Sequence, residues 1–424
     1  MMLPVNHPLR IQLHDEVHAR PPEPKTAPGR ISYIALTYDN ARKGEGWDAV
    51  YALASRYGAP PPPLGANHYT ADLGPFRVKW ERHTEFLRYT FIAQGAGAGP
   101  FDNPAINAVP ADWLAALPGH LMIAAHVSLV PADPDPVGYA NALFPDTVVV
   151  GADVSGGAAA VFTDFRIKGD GFSRWLVQDR FMTPRQGGRI VQRLLEIDTY
   201  RVMALLALPV AQSLAPAIAR AEQEVAEITA AMVTAGDVDE PELLERITRL
   251  AAAIDSRQAM SLYRFSAADA YDGLVHRRIA ELREARLPTL QTLQEFTDRR
   301  LAPAMNTCRS TAARQEELSR RVARATQLLA TRVGVTRERQ NQELLDSMNR
   351  RVRLQLRLQS TVEGLSIAAV TYYIVGLVGY LAKGAKAASI PVDPDVAMGV
   401  SIPIVAGLMA LGLRKTRRLL DHDD

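Results

Sequence analysis

The chain has 424 residues, 47% of them hydrophobic, and a formal net charge of only +2. That length implies about two to three domains with ample apolar material for packed cores. The near-neutral balance excludes a global polyelectrolyte role, and the single cysteine, Cys308, excludes an intramolecular disulfide framework or a cysteine-based zinc site within one chain. A reduced compartment fits that cysteine usage.

The N-terminal stretch MMLPVNHPLRIQLHDEVHARPP lacks an apolar h-region and a cleavage signal, so it does not read as a secretory leader. Leu9, Leu13 and Val17 share one face of a short helix that Pro21-Pro22 stops. His14 and His18 stand four apart on that helix with Glu16 nearby, a spacing that can hold a divalent metal. Two ligands without a third leave such a site incomplete, and a surface helix with locally bonded histidines is the simpler reading.

Arg30–Asp39 alternates and is rich in β-branched and aromatic residues, which predicts a strand. Trp47–Tyr57 reads as a helix ending at Gly58, and Pro60–Pro63 as a stiff connector. Asn67–Glu81 and Glu85–Gln94 have strand composition. The GAGAGP loop that follows lacks the Lys-Ser/Thr of a phosphate-binding loop, so it reads as a turn. A short helix is expected at Pro110–Leu117, then strands at His120–Val130, Thr147–Val154, Ala158–Lys168 and Ser173–Phe181. Residues 1–187 thus form an α/β domain with a mixed or antiparallel sheet. His83, Glu85, His120 and His126 are scattered through it; the strand histidines read as packed and hydrogen-bonded, and neither a catalytic set nor a cofactor motif is expected.

From Gly188 strand signals stop and a helical region, 188–361, begins. Ile190–Ala207 is an apolar-rich helix. Val202–Ile218 is hydrophobic enough to raise the question of a membrane span, but Pro209, Pro216, Gln212 and Ser213 favour a buried, kinked helix. Acidic Glu222, Glu224 and Glu227 follow, then a break at Gly236-Asp237. Helices are expected at Glu242–Asp255, Ala267–Arg286 and Thr289–Gln359, the last with an early kink at Pro303 and, at the weakly apolar Gly334–Asn341, a break or a loosely packed turn. The arginines of this last tract read as solvated helix faces and lipid-headgroup contacts, not as a nucleic-acid site.

Two uncharged apolar runs close the chain, Gly364–Ala382 and Val396–Leu413. As helices each reaches roughly 27 Å, close to the hydrocarbon thickness of a bilayer. They read as a transmembrane helix pair, residues 362–413, joined by the polar Lys383–Asp395 loop and followed by a basic, then acidic tail, 414–424. Arg350–Arg357 before the pair and Arg414–Arg418 after it place both long ends in the cytoplasm and against anionic headgroups. Gly376, Gly379, Gly399 and Gly407 allow close helix approach, and Pro403 frees a backbone carbonyl. Ser366 and Tyr373 share one face and, with Tyr380, Lys383 and the inner-end Glu363, are candidate pore-lining residues.

Three stretches carry a resemblance: LHDEVHARPPEP ending at Pro24, RRLAPAMNTC at Arg299–Cys308, and LQLRLQSTVEGLSIAAVTYYIVGLVGYLAKG at Leu354–Gly384. On them the chain resembles an uncharacterised family of proteobacterial membrane-anchored proteins. The order of elements is similar to CorA-type divalent-cation transporters, which implies a homo-oligomer, a pentamer if the plan holds, around the first span of an inner-membrane protein. The family's Gly-Met-Asn signature is absent: the corresponding place reads Gly379-Tyr380-Leu381-Ala382-Lys383-Gly384. A conduit for ions or small solutes and a membrane-tethered scaffold or sensor are the two functions this implies.

Overall fold

The structure is a computed structural model and describes residues 5–11, 13–14, 22–38, 44–95, 97–234, 236, 239–387 and 391–420. Two compact units emerge, 1–233 with 245–326, and 234–244 with 327–424.

The first unit is built on one mixed sheet, as expected. Its strands are β1 Gly29–Thr37, β2 His68–Asp72, β3 Arg77–Arg82, β4 Phe86–Gln94, β5 His120–Pro131, β6 Val150–Val154, β7 Ala159–Thr163, β8 Ser173–Asp179 and β9 Ala285–Arg286. Among the described residues these nine pair in the order β2-β3-β4-β1-β5-β8-β7-β6-β9. Every pairing is antiparallel except β5 with β8. The stretch read as one run at Asn67–Glu81 is two strands, because Gly74 adopts a φ of +86° and turns the chain back on itself.

Side-chain alternation gives the sheet two apolar faces. Ile31, Tyr33 and Ala35 of β1 point to one, together with Val127 and Trp175. There they meet α4 Pro184–Leu205, α5 Ala207–Thr234 and α6 Glu240–Leu282. Ile34 and Leu36 point to the other face, where α1 Glu45–Arg56 and α2 Ala111–Ala115 lie. Helix α3, Pro136–Leu143, packs on that face beyond β5. It went unread in the sequence although Asp135 caps it, accepting from Gly138 N–H at 2.9 Å, with Pro136 at its start.

The helical tract departs from expectation in three places. Helix α6 runs unbroken through the gap left between Asp255 and Ala267, and it ends where Arg283 takes a φ of +51°, after which Ala285–Arg286 joins the sheet edge. Pro303 makes no kink. It falls after α7, Leu293–Arg300, in the first turn of α8, Ala302–Ala387, where a missing N–H breaks no helical bond. Gly334–Asn341 stays helical, since Arg, Glu and Gln around the single glycine favour helix.

Acidic and basic helices pair across the first unit. Arg314 of α8 pairs with Glu222 of α5 at 2.7 Å, and Arg309 with Asp269 and Asp272 of α6 at 2.8 and 2.6 Å.

Within the second unit, Arg332 of α8 pairs with buried Glu240 at 2.6 Å, and Leu329 and Val333 are buried. Beyond them Leu345, Met348, Val352 and Leu356 stand exposed along α8. The final helix is α9, Pro394–Leu420. Among the described residues three helical stretches are long and apolar enough to cross a membrane: Pro184–Thr234, Ala302–Ala385 and Pro394–Gly412. In the first of these, Met203, Ala204, Ala207 and Ala211 are buried in the core on the sheet.

Candidate functional site

The most chemically loaded place in the first unit is a polar cavity between β3, β4 and α4. Alternation puts Lys79 and Glu81 of β3 on one face and Val78 and Trp80 on the other, in the apolar core. The register sets Lys79 beside Thr90 and Glu81 beside Arg88 of β4. Helix α4 then covers these polar side chains with Gly188, Val191, Gln192 and Leu195.

The segment Glu23–Lys25 closes the cavity. Lys25 N–H donates to the carbonyl of Pro184 at 2.8 Å. This close approach requires the two glycines in the first turn of α4. A Cβ at Gly187 would lie 2.5 Å from the Lys25 carbonyl oxygen, and one at Gly188 would overlap the Glu23 carbonyl, 2.8 Å from its carbon. A capping box starts the helix just before them: Thr183 accepts from Gln186 N–H at 3.3 Å, and Gln186 Oε1 accepts from Thr183 N–H at 2.9 Å.

Charge is concentrated and desolvated here. Arg88, buried, donates through Nε to Glu81 Oε2 and through a second nitrogen to Glu196 Oε1 at 3.4 Å. Arg278 of α6 donates to the other oxygen of Glu196 at 2.5 Å and pairs with Glu281, which also receives Arg193 at 3.0 Å. Lys79 Nζ stands 3.4 Å from Glu81 Oε1. Burial alone would raise the Glu81 carboxyl, but Arg88, by charge and hydrogen bond, and then Lys79 bring it down to about 2. Tyr33 OH pairs with Thr199 Oγ1 at 2.8 Å.

Lys25 is compensated far less. Its side chain is 9% exposed, and among the described residues its nearest acid is Glu23 at 4.0 Å, which itself pairs with Arg77 at 3.0 Å. Burial lowers the Lys25 amine to about 8, and the nearby charges of Lys79 and Arg77 push the same way against Glu23. Lys79 is lowered by burial too, with Glu81 opposing. The cavity between these groups is about 30 Å³, as counted for the centres of water-sized groups, and opens to solvent.

The sequence reading missed this site, although a signal was present. The polar positions of two adjacent strands, Lys79 and Glu81 against Arg88 and Thr90, alternate in the same way whether water or a helix covers them, and only the docking of α4 shows that they are buried. The glycine pair at 187–188, just after Pro184 at the start of a helix, is the local mark of a close backbone approach.

His126 is packed and bonded, as the sequence suggested for the strand histidines. It is buried, stacks on Phe172 with ring centroids 4.0 Å apart, and its Nδ1 meets Ser32 Oγ at 2.9 Å. The Ser32 hydroxyl also accepts from Ile106 N–H at 3.0 Å. Asp170 lies 3.8 Å from Nε2, and the fully buried Ser32 has no path to a substrate. Burial, then Arg174, lowers the imidazole to about 4 from an ordinary 6.5. The folded state therefore binds fewer protons than the unfolded one between these values, and its stability should fall by about 3 kcal/mol as the pH drops from 6.5 to 4. Denaturant titrations of the full chain across that range check this; His126→Asn should flatten the slope.

The residues proposed from the terminal helices are placed as follows. Ser366 Oγ donates to the Val362 carbonyl at 2.9 Å, and Gln359 donates to Glu363 at 3.2 Å. Tyr373 packs edge-on to Tyr372, and Lys383 lies 6.0 Å from the Tyr380 ring centre. Met398 of α9 fills the space beside Gly379, its Sδ 2.5 Å from where a Cβ would stand. Gly376, Gly399 and Gly407 face open space, and Pro403 sits inside α9. His14 is exposed, and His18 lies outside the described residues. Among the described residues no group of three or more His, Cys, Asp or Glu could hold a metal.

A family model described as Protein of unknown function (DUF3422) matches residues 5–420. The chain belongs to this family. The DUF3422 match spans the polar cavity and both apolar terminal helices, and the uncharacterised family expected from the sequence is thereby found. No curated protein and no solved structure matches the chain.

Proposed function

We propose that this DUF3422 protein is anchored in a bilayer by the end of α8 and by α9, with its α/β body in the cytoplasm, and that copies assemble around the first span to pass ions or small solutes. One observation carries the anchoring: both terminal helices present apolar side chains to the outside, Tyr372 at 78%, Leu365 at 73% and Leu408 at 65% exposure. An apolar surface of that extent is disfavoured in water and matched by lipid hydrocarbon. Arg350–Arg357 and Arg414–Arg418 then sit at the headgroup level of one leaflet.

Assembly is supported by the exposed line Leu345, Met348, Val352 and Leu356 on α8, apolar side chains that a solitary helix leaves wet. Ser366, Tyr373 and Tyr380 recur every seventh residue and so share one helix face, which this proposal turns toward the axis of the assembly. In proteoliposomes the purified full chain should give ion flux above that of empty vesicles, and Ser366→Leu or Tyr373→Leu should reduce it about tenfold, or about 1.4 kcal/mol of barrier. Vesicles that stay tight with every ion tried exclude conduction. They would leave the second reading, a membrane-tethered sensor or scaffold, which the charged cavity of the first unit favours.

A further inference from the structure

We infer that the cavity beneath α4 is a binding site for one small oxyanion the size of inorganic phosphate, held between the ammonium groups of Lys25 and Lys79 and the guanidinium of Arg88. The inference concerns the first unit alone and does not depend on conduction or assembly.

Charge and hydrogen-bond partners point to an anion. Six cations converge here, Lys25, Arg77, Lys79, Arg88, Arg193 and Arg278, against five acids, Glu23, Asp72, Glu81, Glu196 and Glu281. One positive charge is left in excess. The acids are also committed elsewhere: Glu81 to Arg88 and Lys79, Glu196 to Arg88 and Arg278, and Glu23 to Arg77. Lys25 is the member left over, nine-tenths buried, with its nearest carboxylate oxygen beyond hydrogen-bond distance at 4.0 Å. An ammonium in that position is costly unless it is compensated, and a charge-assisted bond to an anion is the compensation that the remaining space allows.

Size and shape narrow the ligand. A cavity of about 30 Å³, as counted for the centres of water-sized groups, leaves room for one small oxyanion and excludes a nucleotide. Gly187 and Gly188 are what hold the Lys25 backbone close enough for its amine to reach this space. No sequence motif for phosphate is involved; the site comes from one strand pair, one helix and one extended segment meeting.

The test is calorimetric titration of the full chain in detergent with potassium phosphate, against potassium chloride at equal ionic strength. Phosphate is expected to bind once per chain and to raise the melting temperature with saturation, with chloride doing neither. Lys25→Met should weaken phosphate at least tenfold and, in phosphate-free buffer, melt no lower than the natural chain, because it removes an uncompensated charge. Lys25→Arg should recover most of the binding. Glycerol phosphate in the same titration separates the two sources of the group: tighter binding than inorganic phosphate assigns the site to a phosphate ester, weaker binding to the free ion. Absence of phosphate binding by the natural chain overturns the inference. So does equal affinity in Lys25→Met, or a lower melting temperature for that variant in phosphate-free buffer.

Discussion

Arg88→Met is expected to destabilise the folded chain by about 3–5 kcal/mol, the cost of leaving buried carboxylates without their partner. Arg88 is the link between two acids that do not touch one another in the ion-pair network, Glu81 on β3 and Glu196 on α4. Both are almost fully buried. Without the guanidinium, Glu81 keeps Lys79 at 3.4 Å and Glu196 keeps Arg278, so each carboxylate loses part of its compensation but none of its burial. The Glu81 carboxyl, now held near 2, should move upward. In the natural chain its contribution is present above an ordinary carboxyl value of about 4.5 and is lost as the pH falls toward 2; in the variant that loss should begin at higher pH. Denaturant unfolding of the full chain in detergent at pH 7 and pH 5 measures both effects. Adding Glu81→Gln to Arg88→Met should recover part of the stability, since it removes the charge that was stranded. Equal stability of Arg88→Met and the natural chain would mean that solvent already reaches this network.

Gly188→Ala should destabilise by about 2–3 kcal/mol, in the range of forced overpacking. The sign is informative, because helix propensity alone would make alanine the better residue by about 1 kcal/mol. What reverses it is backbone: the added methyl meets the Glu23 carbonyl, which cannot turn aside as a side chain end would. The segment carrying Glu23 and Lys25 has to lift from α4, and with it go the Lys25 N–H bond to Pro184 and the closure of the cavity. Gly273→Ala provides the matched control. It lies inside α6 with no atom within 4 Å of a built Cβ, so there the propensity gain should stand. A stabilised Gly188→Ala, parallel to Gly273→Ala, would show that Glu23–Lys25 does not rest on the helix.

Much of the fold was legible because periodicity is a local property. The strand at Arg30–Asp39 and the helix at Trp47–Tyr57 announced themselves by alternation and by Gly58, and β1 and α1 lie where those signals put them. The buried character of the helix through Pro216 followed from its prolines and polar residues, and its Met203–Ala211 face does pack on the sheet. Short elements escaped. β9 is two residues long, and its strand conformation is imposed by the edge of β6 and not by its own sequence. The weak apolar pattern at Gly334–Asn341 suggests a break or a loose turn in α8, yet backbone propensity carries a helix through a stretch with little to bury.

The cavity shows the sharper limit. Lys79, Glu81, Arg88 and Thr90 alternate like residues facing water, and no single-strand pattern distinguishes water from a covering helix. Lys25 sits far from them in sequence, in a segment that reads as a connector. Only the pairing of β3 with β4 and the docking of Gly187-Gly188 bring these groups together.

If the two terminal helices cross a bilayer as proposed, the α/β body lies on the other side from the connection between α8 and α9. The most direct test is cysteine labelling in right-side-out membrane vesicles, in a Cys308→Ser background. Ala387→Cys near the connection and Met260→Cys on the exposed surface of α6 are each treated with a membrane-impermeant maleimide. The account predicts that Ala387→Cys reacts at once and Met260→Cys only after permeabilisation. Reaction of both in sealed vesicles, or of Met260→Cys alone, would contradict it.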